Sequence, residues 1–232
     1  MWLDRFLPLA SRRKRLLQQV SNNILHAFLD TPLPDPQQDI QSARFISIDL
    51  ETSGLNPEQD HILSMGFVEI HHEAVDLSTA QHWIIKSDQT LNEENVVIHQ
   101  LTDDVVAQGI SLSEAMQKLL PLLSGKILLA HHAQIEQGFL STASQYLYGG
   151  PLLMPIVDTL TIAQQQLTRH RDAIPEGGLR LAALREHYHL PRYKAHHALN
   201  DAIATAELFL AQMAEKRGSQ NHLALKNILT KI

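Results

Sequence analysis

The stretch that decides the fold is FISIDLETSGLNPEQDHILSMGFVEI, residues 45–70. Its first part alternates Phe, Ser, Asp and Glu at odd positions 45–51 with Ile, Ile and Leu at even ones, which is the period of a β-strand. The segments HILSMGFVEIHH (61–72) and AQHWIIKS (80–87) have the character of two further strands. Short strands that follow one another in this way predict an antiparallel meander.

Beyond the meander, helical and extended patterns alternate. Ser111 and Glu114 form a capping box ahead of one helix, and further helices are predicted from near Gln134 to Tyr148, over 179–188 and over 197–217. The apolar segments KILLAHH (126–132) and PIVDTL (155–160) lie between them as short strands. Consecutive strands followed by alternating helices and strands predict an α/β fold with a mixed sheet flanked by helices.

The chain divides at a proline-rich segment. Residues 1–30 predict an N-terminal amphipathic helical extension. Pro32, Pro34 and Pro36 interrupt any helix, so 31–42 is predicted to be a linker. A domain over 43–217 and a C-terminal tail over 218–232 follow.

Composition excludes several classes of protein. The net charge of −6 excludes a strongly basic nucleic-acid binder, but not an enzyme whose carboxylates hold cations. The absence of cysteine excludes disulfides, thiolate zinc sites and cysteine nucleophiles, and it favours a reducing compartment, predicted to be the cytoplasm. No apolar run approaches the ~20 residues that span a bilayer, so no membrane partner is expected.

Two carboxylates stand at the end of the first strand. Asp49 and Glu51 are two residues apart and therefore point to the same face. Paired carboxylates repel each other unless a cation lies between them, and oxygen ligands favour Mg²⁺ or Mn²⁺. The alternative is a solvated strand end with two incidental acids. Taken alone, Asp201 could complement a helix dipole and His196 could be an ordinary loop histidine.

Three motifs in order give these residues a shared context. FISIDLETSGL (45–55), LLAHHAQIEQGFL (128–140) and HHALNDAIATAELF (196–209) resemble the three motifs of DEDDh 3′→5′ exonucleases. VVIHQLTDD (96–104) and PIVDTL are similar to further landmarks of that family, and the resemblance covers residues 44–216. Within the family, the chain is most similar to the proofreading epsilon subunit of bacterial DNA polymerase III and its ribonuclease T-like relatives.

The resemblance implies a ribonuclease H-like fold and a set of residue roles. Two Mg²⁺ or Mn²⁺ ions would be bound by Asp49, Glu51, Glu136 and Asp201, and His196 would be the general base. Glu136 stands where the family usually has aspartate, so one extra methylene separates its carboxylate from the backbone. The residues implied to contact the terminal nucleotide are Thr52, Gly54, Leu55 and His99. Asp158 matches a family aspartate that is more often structural than catalytic.

The predicted function is metal-dependent 3′→5′ exonuclease activity that releases nucleoside 5′-monophosphates from single-stranded DNA, with RNA as the alternative substrate. One rival is a degenerate exonuclease domain that binds nucleic acid or a protein without cutting. Another is a histidine-based metal protein, since the chain has 14 histidines. In the tail, Gln220, Leu223 and Leu225 loosely resemble a motif that binds a sliding clamp or polymerase, and the alternative is a tail that packs on its own domain.

Overall fold

The computed structural model describes residues 7–86, 107–170, 176–218 and 222–230. A five-stranded sheet has the order β3-β2-β1-β4-β5. The first three strands form the antiparallel meander, and β4 and β5 run parallel to β1. The strands are β1 (Phe45–Thr52), β2 (Ile62–His71), β3 (Ala74–Ile84), β4 (Ile127–Ala130) and β5 (Ile156–Asp158). The predicted mixed sheet is confirmed.

Helices cover both faces of this sheet. In the part of the chain that the structure describes, the α-helices are α1 (Leu9–Leu17), α2 (Asn23–Asp30), α3 (Leu112–Leu123), α4 (Gln134–Tyr148), α5 (Thr159–His170), α6 (Leu181–His187) and α7 (Ala198–Arg217). At the start of α3, the Ser111 hydroxyl accepts a hydrogen bond from the Glu114 amide at 3.1 Å, as the capping box predicts. None of the described helices is long and apolar enough to cross a membrane.

The alternation along β1 sorts its side chains into two cores. Ile46, Ile48 and Leu50 lie on the face covered by α2, α3 and α4. Phe45 points to the other face, where its ring centroid lies 4.8 Å from that of Phe209 on α7. Asp49 shares the parity of Phe45 and therefore faces the α7 side.

A glycine sets how closely α7 approaches the sheet. Gly66 of β2 is the register partner of Asp49. A Cβ atom added to Gly66 would lie 2.1 Å from the carbonyl carbon of Ala198 and the amide nitrogen of Leu199, so the first turn of α7 rests directly on this strand. The Ser47 hydroxyl adds a hydrogen bond of 2.7 Å to the carbonyl of Ala202. The first turn of α7 is thereby held beside the end of β1.

The N-terminal extension comprises two helices in its described part, and both pack on the domain. The buried Arg13 side chain of α1 donates hydrogen bonds to the carbonyls of Phe28, Leu29 and Thr31 and, across the chain, to that of Leu153. Burial lowers the pKa of Arg13 to about 10. Three of these bonds fix α1 against the end of α2, and the bond to Leu153 ties the extension to the rest of the fold.

The predicted linker and tail contact each other. The linker segment contains a 3₁₀ helix (Ile40–Ser42), and Asp39 forms an antiparallel bridge with Ala224. Leu225 is fully buried in the core on the α7 side, and its amide donates to the carbonyl of Gln38 at 2.9 Å. The boundaries at 31, 43 and 218 stay predictions, with side-chain and backbone hydrogen bonds running across them.

Candidate active site

Three carboxylates meet at the end of β1. Asp49 and Glu51 come from the strand itself, and Asp201 comes from the first turn of α7. One ligand oxygen from each lies within 4.8 Å of the others. The structure thus brings these three predicted site residues together, and their role as metal ligands stays a prediction.

The cluster is electrostatically unfavourable without a cation. Burial raises the pKa of Asp49 well above its usual value, and the charges of Glu136, Glu51 and Asp201 raise it further. Burial and Glu51 also raise the pKa of Asp201, while the amides of His196 and His197 oppose that rise. Burial and mutual repulsion both disfavour the ionised form of these carboxyl groups. A divalent cation bound between them would stabilise that ionised form.

Glu136 lies beside the cluster but outside it. The residue is in the first turn of α4 and only 4% exposed. Burial raises the pKa of Glu136 to about 8, Asp158 and Glu51 add to the rise, and backbone amides, including that of Leu50, oppose it. Its Oε2 atom is buried without a hydrogen-bond partner. Glu136, which is one methylene longer than the family's usual aspartate, thus interacts electrostatically with Asp49 and Glu51. It is not a member of the three-carboxylate cluster.

Asp158 holds the backbone around the site. Its Oδ1 atom accepts hydrogen bonds from the amides of His132 (2.9 Å) and Leu160 (3.0 Å), and its Oδ2 atom accepts one from the Thr161 hydroxyl (3.1 Å). His132 has a φ of 70°, in the left-handed region. Asp158 therefore fixes the turn between β4 and α4 and the start of α5.

His196 lies on the solvent side of Asp201. The residue is exposed in the segment that precedes α7, and its φ is 64°. Its amide donates to Oδ2 of Asp201 at 2.8 Å, and the amide of His197 donates to the same oxygen at 3.3 Å. Asp201 thus joins the carboxylate cluster to the turn that carries the predicted base.

The loop after β1 carries the predicted nucleotide contacts. The Thr52 hydroxyl donates to the carbonyl of Gly54 at 2.7 Å. A Cβ atom at Gly54 would lie 2.5 Å from the Asp60 carboxylate, so the loop closes tightly there. The next residue, Leu55, is 76% exposed to solvent, which is unusual for a leucine. His99 lies outside the described residues.

One residue near the site was missed from the sequence. His82 of β3 is the register partner of Gly66, and its ring centroid lies 4.4 Å from that of His197. Burial and His197 lower the pKa of His82, while Glu51 opposes the fall. Only the strand register, which has a bulge between Phe67 and Glu69, brings His82 to this row.

The chain belongs to the exonuclease family RNase_T, whose sequence model matches residues 46–209. Among its relatives, it is 28% identical over 191 residues to the PolC-type DNA polymerase III of Thermotoga petrophila and 26% identical over 196 residues to that of Staphylococcus epidermidis. These alignments cover 81% and 83% of this chain but 13% of each polymerase. The chain therefore spans a small part of the length of these relatives.

Solved structures share the fold. The nuclease domain of 3′hExo, a DEDDh family member bound to rAMP, superposes with a TM-score of 0.63 at 14% identity and covers 78% of this chain and 95% of that one. The zinc-bound E. coli ExoI–ssDNA complex gives 0.64 at 18% identity, covering 77% and 42%. Exonuclease X in complex with 5′ overhanging duplex DNA gives 0.58 at 19%, covering 78% and 97%. The predicted membership of an exonuclease family and the predicted mixed α/β fold are confirmed, and a DEDDh family member is among the structures that share the fold.

Proposed function

We propose that this protein is a metal-dependent 3′→5′ exonuclease that releases nucleoside 5′-monophosphates from single-stranded DNA. The observation that carries the proposal is the meeting of Asp49, Glu51 and Asp201 within 4.8 Å, with the His196 turn hydrogen-bonded to Asp201. Family membership supports phosphodiester hydrolysis as the reaction of this site.

The residues fit divalent metal ions. The cluster offers only carboxylate oxygens, which suit Mg²⁺ or Mn²⁺. Asp49, Glu51 and Asp201 would hold the ions, and Glu136, with its unpartnered buried Oε2, would complete the set after a modest side-chain shift. Such ions, when bound, would supply charge stabilisation to the scissile phosphate and would lower the pKa of a bound water.

The chain's own residues then position and deprotonate the nucleophile. His196 would accept the proton of the attacking water, since the residue is exposed and its backbone amide is hydrogen-bonded to Asp201, which places it next to the cluster. Leu55, exposed on the loop that follows β1, would wedge against the terminal base. Thr52 and Gly54 shape that loop, and His99 is proposed to line the same nucleotide site.

The relatives support DNA as the substrate. PolC-type DNA polymerases III are DNA enzymes by name, and the ExoI and Exonuclease X complexes contain single-stranded or overhanging DNA. The 3′hExo domain, bound to rAMP, keeps RNA as the alternative substrate. We propose the cytoplasm as the location, in keeping with the cysteine-free composition.

The direct test is cleavage of single-stranded DNA and RNA oligonucleotides labelled at the 5′ or the 3′ end. With Mg²⁺ or Mn²⁺, the 5′-labelled strand should shorten stepwise, and the 3′ label should leave as a mononucleotide at once. Asp49→Ala and His196→Ala should lose most of this activity. Shortening from the 5′ end, or near-normal activity in both variants, would exclude the proposal.

The second candidate is a domain that binds nucleic acid without cutting it. The observation that favours it is the position of Glu136 outside the three-carboxylate group. A Glu136→Asp variant separates the two candidates. Cleavage that appears only in this variant would show that the native domain serves binding, whereas an active native protein would exclude that role.

A clamp- or polymerase-binding tail is the weaker proposal for a partner. Leu223 and Leu225 are 4% and 0% exposed and pack in the core on the α7 side, where a partner cannot reach them. Gln220 lies outside the described residues. This proposal requires that the protein pull down a sliding clamp and that the Gln220→Ala variant lose this binding.

A further inference from the structure

A row of residues crosses the sheet beside the carboxylate cluster. Asp49, Gly66 and His82 are successive register partners on β1, β2 and β3. Directly paired residues project to the same face of a sheet. Asp49 and His82 therefore flank Gly66, and the first turn of α7 fills the gap above that glycine.

The segment just ahead of this turn is anchored twice. Its polar anchor is Asp201, which accepts hydrogen bonds from the amides of His196 and His197. Its other anchor is a ring contact: the imidazoles of His82 and His197 have centroids 4.4 Å apart and planes inclined by 39°. The two rings therefore make a close, tilted contact.

The backbone of His196, the proposed general base, requires such support. His196 has a φ of 64°, a left-handed conformation that costs free energy for a residue with a side chain. The residue is also exposed, so few side chains pack around it. A platform that immobilises the adjacent ring would keep this backbone conformation populated.

We propose that His82 is a positioning residue, whose ring packs against that of His197 and thereby holds His196 at the carboxylate cluster. The inference rests on the proposed function of His196 as the general base. His82 itself transfers no proton and binds no ion in this role; its contribution is the flat, partly buried ring on a rigid strand.

Two substitutions at His82 distinguish the effect of the aromatic ring from that of its titratable nitrogens. His82→Phe keeps an aromatic platform but has no titratable nitrogen, and His82→Gln keeps polarity but has no ring. Since an aromatic contact contributes a modest free energy, loss of the ring should lower kcat by about two- to tenfold, with KM unchanged. The Phe variant should stay within about twofold of wild type. His26→Gln, at an exposed position on α2, is the matched control.

A double-mutant cycle tests the contact itself. His82→Ala and His197→Ala should each lower kcat, and the double variant should be no worse than the more damaging single one. Additive losses would overturn the ring contact as the cause.

Hydrogen exchange provides a readout that needs no catalysis. In His82→Gln, amides in residues 195–199 should exchange about two- to tenfold faster, while those in residues 205–212 and the melting temperature stay at wild-type values. His82→Phe should retain the wild-type exchange rate.

The outcomes discriminate between the explanations. A Phe variant as damaged as the Gln variant, an unchanged kcat in the Gln variant, or a loss that follows a general drop in melting temperature would each overturn the proposal. If the wild-type protein shows no nuclease activity, the proposed function fails, and the exchange experiment still decides whether His82 orders the His196 turn.

Discussion

The close contact at Gly66 predicts a large effect for the smallest possible substitution, Gly66→Ala. The added methyl carbon would lie 2.1 Å from backbone atoms of Ala198 and Leu199, whereas an ordinary contact begins at 3.4 Å. Backbone atoms cannot rotate away, so the start of α7 must retreat by roughly 1 Å, carrying Asp201 and His196 with it. A displacement of about 1 Å at a reacting centre lowers the rate on the order of 100-fold.

The assay compares kcat on a 5′-labelled oligonucleotide with the melting temperature. Gly66→Ala should lower kcat by about 100-fold in protein that is still folded by circular dichroism, with a stability loss of about 1–3 kcal/mol. Gly138→Ala in α4 is the control, because its Cβ atom would first meet the Pro57 side chain at 3.3 Å. A Gly66→Ala protein with kcat within about twofold of wild type would refute the argument that this glycine sets the position of α7.

Three further predictions concern stability. Because burial raises the pKa of Glu136 to about 8, its contribution to metal-free stability is present below about pH 4.5 and is lost as the pH rises towards 8. Glu136→Gln should remove a stability loss on the order of a few kcal/mol between about pH 4.5 and 8 in thermal melts with EDTA, and an unchanged pH dependence would contradict the assignment. Asp158→Ala should cost about 2–4 kcal/mol in urea unfolding, since the amides of His132 and Leu160 lose their acceptor, and an unchanged midpoint would contradict this role. Leu225→Ala should cost about 2–5 kcal/mol by the same measurement, because it leaves a cavity in the core on the α7 side; an unaffected midpoint would mean that the tail does not pack there.

Local patterns were sufficient for the elements that carry the site. The alternation in β1 and the long helical period of α7 are properties of neighbouring residues, and both elements match their predicted ranges within a few residues. The start of β3 was placed too late, at 80 instead of Ala74. The turn before it has positive φ at His72 and Glu73, 49° and 57°, without the Asn-Gly sequence that usually marks such a hairpin.

The N-terminal extension contains a helix-capping residue that predicts two helices where one helical extension was predicted. The break between α1 and α2 coincides with Asn22, whose side chain caps α2 by accepting from the amides of Ile24 and Leu25. Asparagine is a preferred N-cap residue, so two helices were predictable there.

Other features depend on contacts between distant parts of the chain. Arg13 looks like one member of a basic surface run, yet its guanidinium is buried among carbonyls up to 140 residues away. The ring contact of His82 arises from the register of β2 and β3, and the burial of Glu136 arises from packing at the end of β1. No periodicity or motif encodes such juxtapositions, because the partners are brought together only by the tertiary fold.

The central claim is that the Asp49–Glu51–Asp201 cluster is the metal-dependent centre of an exonuclease. Its most direct test is the shortening of a 5′-labelled single strand by wild-type protein and by Asp49→Asn, each with Mg²⁺ and with EDTA. We expect stepwise shortening by the wild type with Mg²⁺, none with EDTA, and at least a 100-fold loss in a normally folded Asp49→Asn variant. Shortening that persists in EDTA, or in the variant at the wild-type rate, would contradict the claim.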